Sequence, residues 1–512
     1  MVSGPSIPGT AAASMVPTRA QFMTPVKLTR LPTLKSAEAF GELVRSLNLD
    51  LQFEPQPFAG VASSLMRPLP LNGRTLANRW AIHPMEGWDG TRDGGVTESM
   101  VRRWQRFGQS GAQLIWGGEA MAVRRDGRAN PNQLILNREN QPGIARLREE
   151  LLRQHAERYP GTGDPFIGFQ LTHSGRFCRP NDKRLEPRVA FRHPILDKKF
   201  GVSSDAQVFT DDELQRLVED YVAAARIAAE VGADFVDIKH CHGYLLHEFL
   251  GAHTRSGEYG GPFENRTRLL RDIVAGIRAA VPRLEIGVRL SAFDLVPFKP
   301  DPALTRPGRL GPGIPEDYAH CLPYRYGFGV NPQNPVEYDL DEPLRFLELL
   351  ERLGIRLVNL SAGSPYYNPH IQRPAIYPPS DGYQPPEDPL VGVARQINVV
   401  KQLKARCPNL VLVGSGYSYL QEFLPHVAEY YLRHGHVDVV GLGRAVLAYP
   451  TMLADATARG RLETRLVCRT FSDCTTAPRN GLRSGCYPLD DYYKNLEDAP
   501  KLKEAKKSVG TA

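Results

Sequence analysis

Eight short apolar, β-branched runs, each closed by glycine or polar residues, set the rhythm of this chain. They are Arg79–Met85 (RWAIHPM), Ala112–Gly118 (AQLIWGG), Phe166–His173 (FIGFQLTH), Asp234–His240 (DFVDIKH), Glu285–Ser291 (EIGVRLS), Arg356–Gly363 (RLVNLSAG), Leu410–Gly416 (LVLVGSG) and Val437–Gly443 (VDVVGLG). Between them the apolar period lengthens to that of a helix, over Val101–Gln109, Gly143–Tyr159, Asp211–Val231, Asn265–Ala280, Asp341–Leu353 and Gly392–Arg406. Strands alternating with helices predict a parallel sheet, and eight units are the number that closes a (β/α)8 TIM barrel. A doubly wound open sheet competes, but it rarely runs through eight units without a reversal. The predicted class is therefore α/β, with the barrel over residues 61–455, an N-terminal extension over 1–60 and a cysteine-containing extension over 456–512. One helix is expected in the first extension, Ser36–Leu47, and disorder over residues 1–20.

Three long insertions break the repeat, at residues 174–207, 292–340 and 364–390. Each follows a strand, so each belongs to the face where barrel enzymes carry their sites. Their Pro, Tyr and Phe content suggests a roof over a flat or aromatic substrate.

The two-residue period of a strand assigns the faces. With Val236 and Ile238 turned to the outer helices, Asp237 and Lys239 turn inward; Gln170 with Thr172 and Arg289 with Ser291 follow the same rule. Buried unpaired charge is too costly for an ordinary core, so either a polar ligand sits there or the charges pair with each other, Asp237 with Lys239 for example. The last two strands end in GSGYS, containing Gly414, Ser415 and Gly416, and in GLGR, containing Gly443 and Arg444. Bare backbone N–H groups after strands seven and eight, with an arginine beside them, suit a phosphate.

Composition narrows the field. The 512 residues are 42% hydrophobic and 23% charged, typical of a folded globular protein. No run of 18 apolar residues is present to span a membrane, and the N-terminus lacks the pattern of a secretory signal. The net charge of +7 is dispersed rather than gathered on a stripe, which argues against nucleic acid as a partner. Seven cysteines make no disulfide framework; a reducing, cytoplasmic location and a small-molecule substrate fit best, with a homo-oligomer possible.

The stretches NRWAIHPM, GFQLTHSGR, DFVDIKHCHGYLLHEFLGAHTRSGEYGGPFENRTR, IGVRLS and DVVGLGRAVLAYP occur in the order, and with much of the wording, of the old yellow enzyme family of NADH:flavin oxidoreductases. The resemblance spans about residues 65 to 450 and implies an FMN-bearing barrel. There NADH or NADPH reduces the flavin, and an electron-poor alkene or related acceptor is reduced in turn. Carried over by position, Gln170 and Arg289 serve the flavin pyrimidine. Pro84, Met85, Glu86 and Glu119 lie at the ends of the first two strands against the cofactor. Gly414, Ser415, Gly416, Gly443 and Arg444 form the phosphate loops. Tyr244 is the proton donor, and His242 with Lys239 occupies the pair that holds the substrate's activating oxygen.

The departures from the family pattern are as informative. Lys239 stands where His is usual, His83 where a small residue precedes Pro-Met, and Glu86 where Thr or Cys commonly touches the flavin. A carboxylate there opposes the anionic reduced flavin unless it is protonated or paired with His83 or Lys239. The alternative for His83 and Glu86 is a side chain turned away from the flavin. The tail VCRTFSDCTTAPRNGLRSGCYPLD resembles the iron–sulfur segment of the dienoyl-CoA reductase and trimethylamine dehydrogenase branch. Here Val467 and Thr470 replace two of its four cysteines, and Cys468 is out of register with Cys474 and Cys486. No metal is expected, the tail reading as a remnant packed under the barrel, and no second nucleotide-binding domain is recognisable. Three other readings stay open. One is an FMN amine dehydrogenase or demethylase with Glu86 or Lys239 as base. The others are a flavoprotein without turnover and a metal-dependent hydrolase using His83, His173, His240, His242 and Lys239.

Overall fold

The computed structural model describes residues 28–507; the segment expected to be disordered, residues 1–20, lies outside the described residues. Eight parallel strands close on themselves: β1 (Trp80–Ile82), β2 (Leu114–Ile115), β3 (Phe166–Thr172), β4 (Phe235–Ile238), β5 (Glu285–Ser291), β6 (Leu357–Ser361), β7 (Val411–Gly414) and β8 (Val439–Leu442). The seam is sealed by β8 pairing with β1, Leu442 opposite Ile82, so the barrel is closed as the sequence pattern implies.

Seven helices follow the strands: α1 (Glu98–Gln109), α2 (Gln141–Arg158), α3 (Asp211–Val231), α4 (Arg268–Ala280), α5 (Asp341–Arg352), α6 (Pro389–Arg406) and α7 (Leu424–Arg433). Six match the expected segments. The seventh, α7, was not expected, because a turn of tighter helix over Tyr417–Phe423 leads into it and blurs the apolar period. Helix α3 shows how locally the starts are encoded. Thr210 accepts from the Glu213 N–H, and the Glu213 carboxylate accepts from the Thr210 N–H at 2.8 Å, a reciprocal cap worth about 1 kcal/mol. The helix of the N-terminal extension covers Ala37–Ser46 with Ser36 as its cap.

Outward-facing strand residues such as Phe169, Val236, Ile238, Val288, Leu360 and Leu442 join the helices in one continuous core. The inward faces change character along each strand. At the N-terminal end Leu114, Phe166, Phe235, Leu357 and Val439 meet Leu69, Leu71 and Leu76 from an antiparallel hairpin that plugs the barrel floor. Phe235 stacks on Phe166 with centroids 5.3 Å apart and takes the edge of Trp116 at the same distance. Further along, the inward residues are Gln170 opposite Asp237 on β3 and β4, and Arg289 opposite Asn359 on β5 and β6. Among the described residues no helix is long and apolar enough to cross a membrane.

The insertions and the tail gather at the mouth. Residues of the 364–390 insertion meet the C-terminal extension: Tyr377 stacks on Phe471, Arg479 pairs with Asp381, and the Arg373 guanidinium donates to Ser472 Oγ at 2.9 Å. The tail therefore packs over the mouth rather than under the barrel, because its partners are the loops that follow β6 and β8.

Candidate active site

A cavity of about 310 Å³ opens at the mouth, and most of the residues singled out from sequence line it: Pro84, Met85, Glu86, Gln170, Lys239, His242, Tyr244, Arg289, Ser415, Gly416, Gly443 and Arg444. At its floor Asp237 is a fully buried carboxylate that accepts three hydrogen bonds. They come from Trp116 Nε1 at 2.8 Å, Gln170 Nε2 at 2.6 Å and the Arg289 backbone N–H at 2.7 Å. Burial, opposed by these donors, pushes its pKa up to about 6. The Asp237–Lys239 ion pair considered from sequence is not formed.

That leaves the cations without anions. The Arg289 guanidinium makes one long contact, 3.4 Å to the Pro84 carbonyl, and its Nε has no partner. Lys239 Nζ lies 3.5 Å from the centre of the Tyr244 ring. Neither has a carboxylate partner among the described residues. Burial lowers the pKa of both.

His83 lines the cavity but does not pair with Glu86. Ser415 Oγ donates to the Leu360 carbonyl at 2.6 Å, so its lone pair receives the His83 Nε2–H at 3.1 Å. Asn359 Nδ2 donates to His83 Nδ1 at 3.0 Å. The ring is a neutral pin between β1, β6 and β7. Burial first, then Arg289, hold its pKa well below the usual histidine value. It also explains Gly441 in β8: a Cβ there would stand 2.1 Å from His83 Cε1.

After β4 the chain turns sharply at His242, which holds φ +66°. The turn is fixed by its N–H donating to Ser291 Oγ at 2.9 Å, while Nε2 meets Ser361 Oγ at 2.9 Å. Burial, then Arg289 and Lys239, keep His242 neutral. Tyr244 follows, its hydroxyl in contact with the Glu86 carboxylate and 2.9 Å from the Tyr366 hydroxyl. Burial and then Glu86 raise the Tyr244 pKa well above the ordinary phenol value. Glu86 is thus paired, but with tyrosine rather than with His83 or Lys239.

Glu119 does not line the cavity. Its carboxylate takes the Arg103 Nε at 2.7 Å and the Gly87 N–H at 3.0 Å, while Asp89 takes the other edge of the same guanidinium. It props the loop after β1 instead, with burial pushing its carboxyl up against the pull of Arg103. Gly414 also stays behind the wall, inside β7.

At the other end of the cavity Gly416, at φ +95°, and Gly443 present bare backbone. Arg444 reaches Thr475 Oγ1 and, at 3.7 Å, Cys474 Sγ. Arg373 lies close enough for the two guanidiniums to repel; burial, then Arg444, lower its pKa. Neither has a carboxylate partner among the described residues. Arg373, Ser361 and Tyr366 were missed from sequence. Arg373 and Tyr366 sit in a proline-rich insertion with no periodicity to aim them, although the two tyrosines of SPYYNPH were the available signal, whereas Ser361 ends β6, where the two-residue period turns it inward with Asn359.

Cys468 and Cys474 line the same cavity, but among the described residues no group of three or more His, Cys, Asp or Glu is arranged to hold a metal ion. The histidines of a hydrolase site do not converge either: His240 turns outward against Phe346 and His173 against Phe209.

Comparison with known proteins agrees with this geometry. Residues 64–303 match the model of the NADH:flavin oxidoreductase / NADH oxidase family. An NADH:flavin oxidoreductase from Gibberella zeae is 26% identical over 407 residues, 76% of this chain and 84% of that protein. An NADPH dehydrogenase from Bacillus subtilis is 31% identical over 241 residues, 46% of this chain and 65% of that one, so the match spans just under two thirds of its length. Among solved structures, a 2-naphthoyl-CoA reductase complex superposes with a TM-score of 0.61 at 17% identity, over 84% of this chain and 57% of its own; that likeness is one of fold. Residues 64–303, just under half of the chain, are thus similar to the NADH:flavin oxidoreductase / NADH oxidase family, and several of them line one cavity at the mouth of a closed barrel.

Proposed function

We propose that the chain is an FMN-dependent oxidoreductase that draws electrons from NADH or NADPH and reduces an activated, flat acceptor, an α,β-unsaturated carbonyl or an aromatic ring. The observation that carries this reading is the set of cations without anions along one cavity: buried Arg289 at the base of the cavity, and half-buried Arg373 and Arg444 at its far end. Unpaired buried guanidiniums demand an electron-rich guest. FMN offers one at each end, a ring that gains negative charge on reduction and a phosphate.

Gln170 and Arg289 would hold the ring; Arg373, Arg444 and the backbone N–H groups at Gly416 and Gly443 would hold the phosphate. When bound, FMN supplies the two-electron chemistry that links nicotinamide to acceptor. Arg289 stabilises negative charge at the ring from a water-poor position. Lys239 and neutral His242 grip the acceptor's activating oxygen, and Lys239 suits a carboxylate-bearing acceptor. Tyr244 exchanges a proton with the acceptor. The walls are aromatic and flat: Tyr366 stacks on Phe177 with centroids 4.0 Å apart, and Tyr383 and several prolines complete the roof.

The test is an absorbance spectrum of the purified protein, then anaerobic addition of NADH and of NADPH. Flavin bands that bleach with either nucleotide support the reading; flavin that bleaches with neither removes it. Tyr244→Phe should slow acceptor reduction by about 10²–10⁴-fold while leaving flavin reduction near normal. Equal loss in both half-reactions would remove Tyr244 from its role. A second reading, substrate oxidation such as amine dehydrogenation, is favoured by one observation, the Glu86–Tyr244 contact.

A further inference from the structure

We propose that Glu86 sets the direction in which Tyr244 passes its proton: as a carboxylate it makes the tyrosine an acceptor toward the substrate, and as a carboxylic acid it makes it a donor. This deepens the function proposed above and rests on it.

A phenol has one hydrogen to give and lone pairs with which to accept. In this structure the Tyr244 hydrogen goes to Glu86 Oε2, and the second contact of the hydroxyl is Tyr366, 2.9 Å away. What Tyr244 can turn to the cavity in that state is a lone pair. Protonating Glu86 reverses the polarity: the carboxyl then donates to Tyr244 Oη and frees the phenolic hydrogen.

The surroundings leave Glu86 free to do this. Its other oxygen has only a long contact, 3.5 Å, from Asn130 Nδ2. The charged and titratable groups facing it are Tyr244, Tyr366 and Lys239. Behind the next residue stands the Arg103–Asp89–Glu119 network, which holds the Gly87 N–H and so the position of the loop. Lys239, over the Tyr244 ring, lowers the cost of negative charge on the phenol oxygen as the proton leaves. Tyr366 lines both the main cavity and a second opening bordered by Asp89, Arg179 and Asp182, which gives the exchanged proton a route to water.

In the donating direction the Tyr244 O–H bond breaks as a bond forms from that hydrogen to the acceptor. The Glu86 O–H bond breaks as the Tyr244 O–H bond is restored. One proton has moved from carboxyl to acceptor, a carboxylate remains, and this step moves no electrons between molecules. The accepting direction is its reverse.

Two measurements on the holoenzyme test the proposal. The first is an infrared pH titration of the carboxyl stretching band that Glu86→Gln abolishes. Tyr244→Phe should move its midpoint up by about one pH unit, because the carboxylate loses its donor. A midpoint that Tyr244→Phe does not move overturns the proposal. The second is the reoxidation of NADPH-reduced enzyme by cyclohexenone across pH. The rate should fall about tenfold per pH unit above the Glu86 midpoint, and Glu86→Gln, whose amide donates permanently, should flatten that limb. An unchanged limb in Glu86→Gln overturns it as well. If neither nucleotide reduces the flavin, the proposed function falls, and the infrared titration alone decides the Glu86–Tyr244 coupling.

Discussion

The two ends of this barrel are built from the same eight strands and share almost no chemistry. At the floor the inward residues are Phe166, Phe235, Leu357 and Val439, capped by leucines of a hairpin. Further along the same strands they are Gln170, Asp237 and Asn359, and beyond them Lys239 and Ser361. Each floor residue contributes by leaving water, about 1.5–3 kcal/mol for a fully buried Phe or Leu. The residues at the mouth give up stability instead: Lys239 and Arg289 are buried with no carboxylate in ion-pair contact. The floor holds the ring of strands closed, so the mouth can keep groups that cost stability.

The comparison is broken most directly at Phe235. Phe235→Ala should cost about 3–5 kcal/mol in chemical unfolding of the cofactor-free protein. Lys239→Met at the mouth should cost nothing or stabilise it. Similar losses at both positions would mean that the mouth cations are paired after all.

Next in size is an acid limb. His240, on the outward side of β4, is buried against Phe346, and burial lowers its pKa to about 4. The unfolded chain binds that proton near pH 6.5, so the contribution is whole above that pH and is lost as pH falls toward 4. It amounts to about 3 kcal/mol for a difference of roughly two and a half units. Unfolding across this range should show the slope, and His240→Phe should flatten it. Smallest is Arg373→Ala, expected to weaken FMN binding by about 10–100-fold, as loss of a charge-assisted contact does, without lowering the stability of the cofactor-free protein. Unchanged retention of FMN would remove Arg373 from the phosphate end.

Strand period and strand ends were legible from sequence because they follow from local rules. Alternation placed Lys239, Gln170 and Arg289 in the cavity, and glycines placed Gly416 and Gly443 there. What escaped was set by contacts distant in sequence. Glu119 sits beside the cofactor position by resemblance, yet Arg103, sixteen residues earlier, captures it. His83 has the position of a site residue, but Ser415, 332 residues away, and Asn359 fix it as a strut. Arg373 and Tyr366 lie in an insertion where proline erases periodicity, so no pattern aimed them inward. Helix α7 was lost to the tight turn that precedes it.

The tail packed over the mouth has a consequence in time. The wall formed by Cys468, Thr475 and Arg479 is synthesised after β8, the strand that closes the barrel. A nascent chain therefore possesses every strand and its floor before it possesses a lid. The far end of the cavity is therefore completed only by the last part of the chain, held there by the Arg479–Asp381 and Arg373–Ser472 contacts.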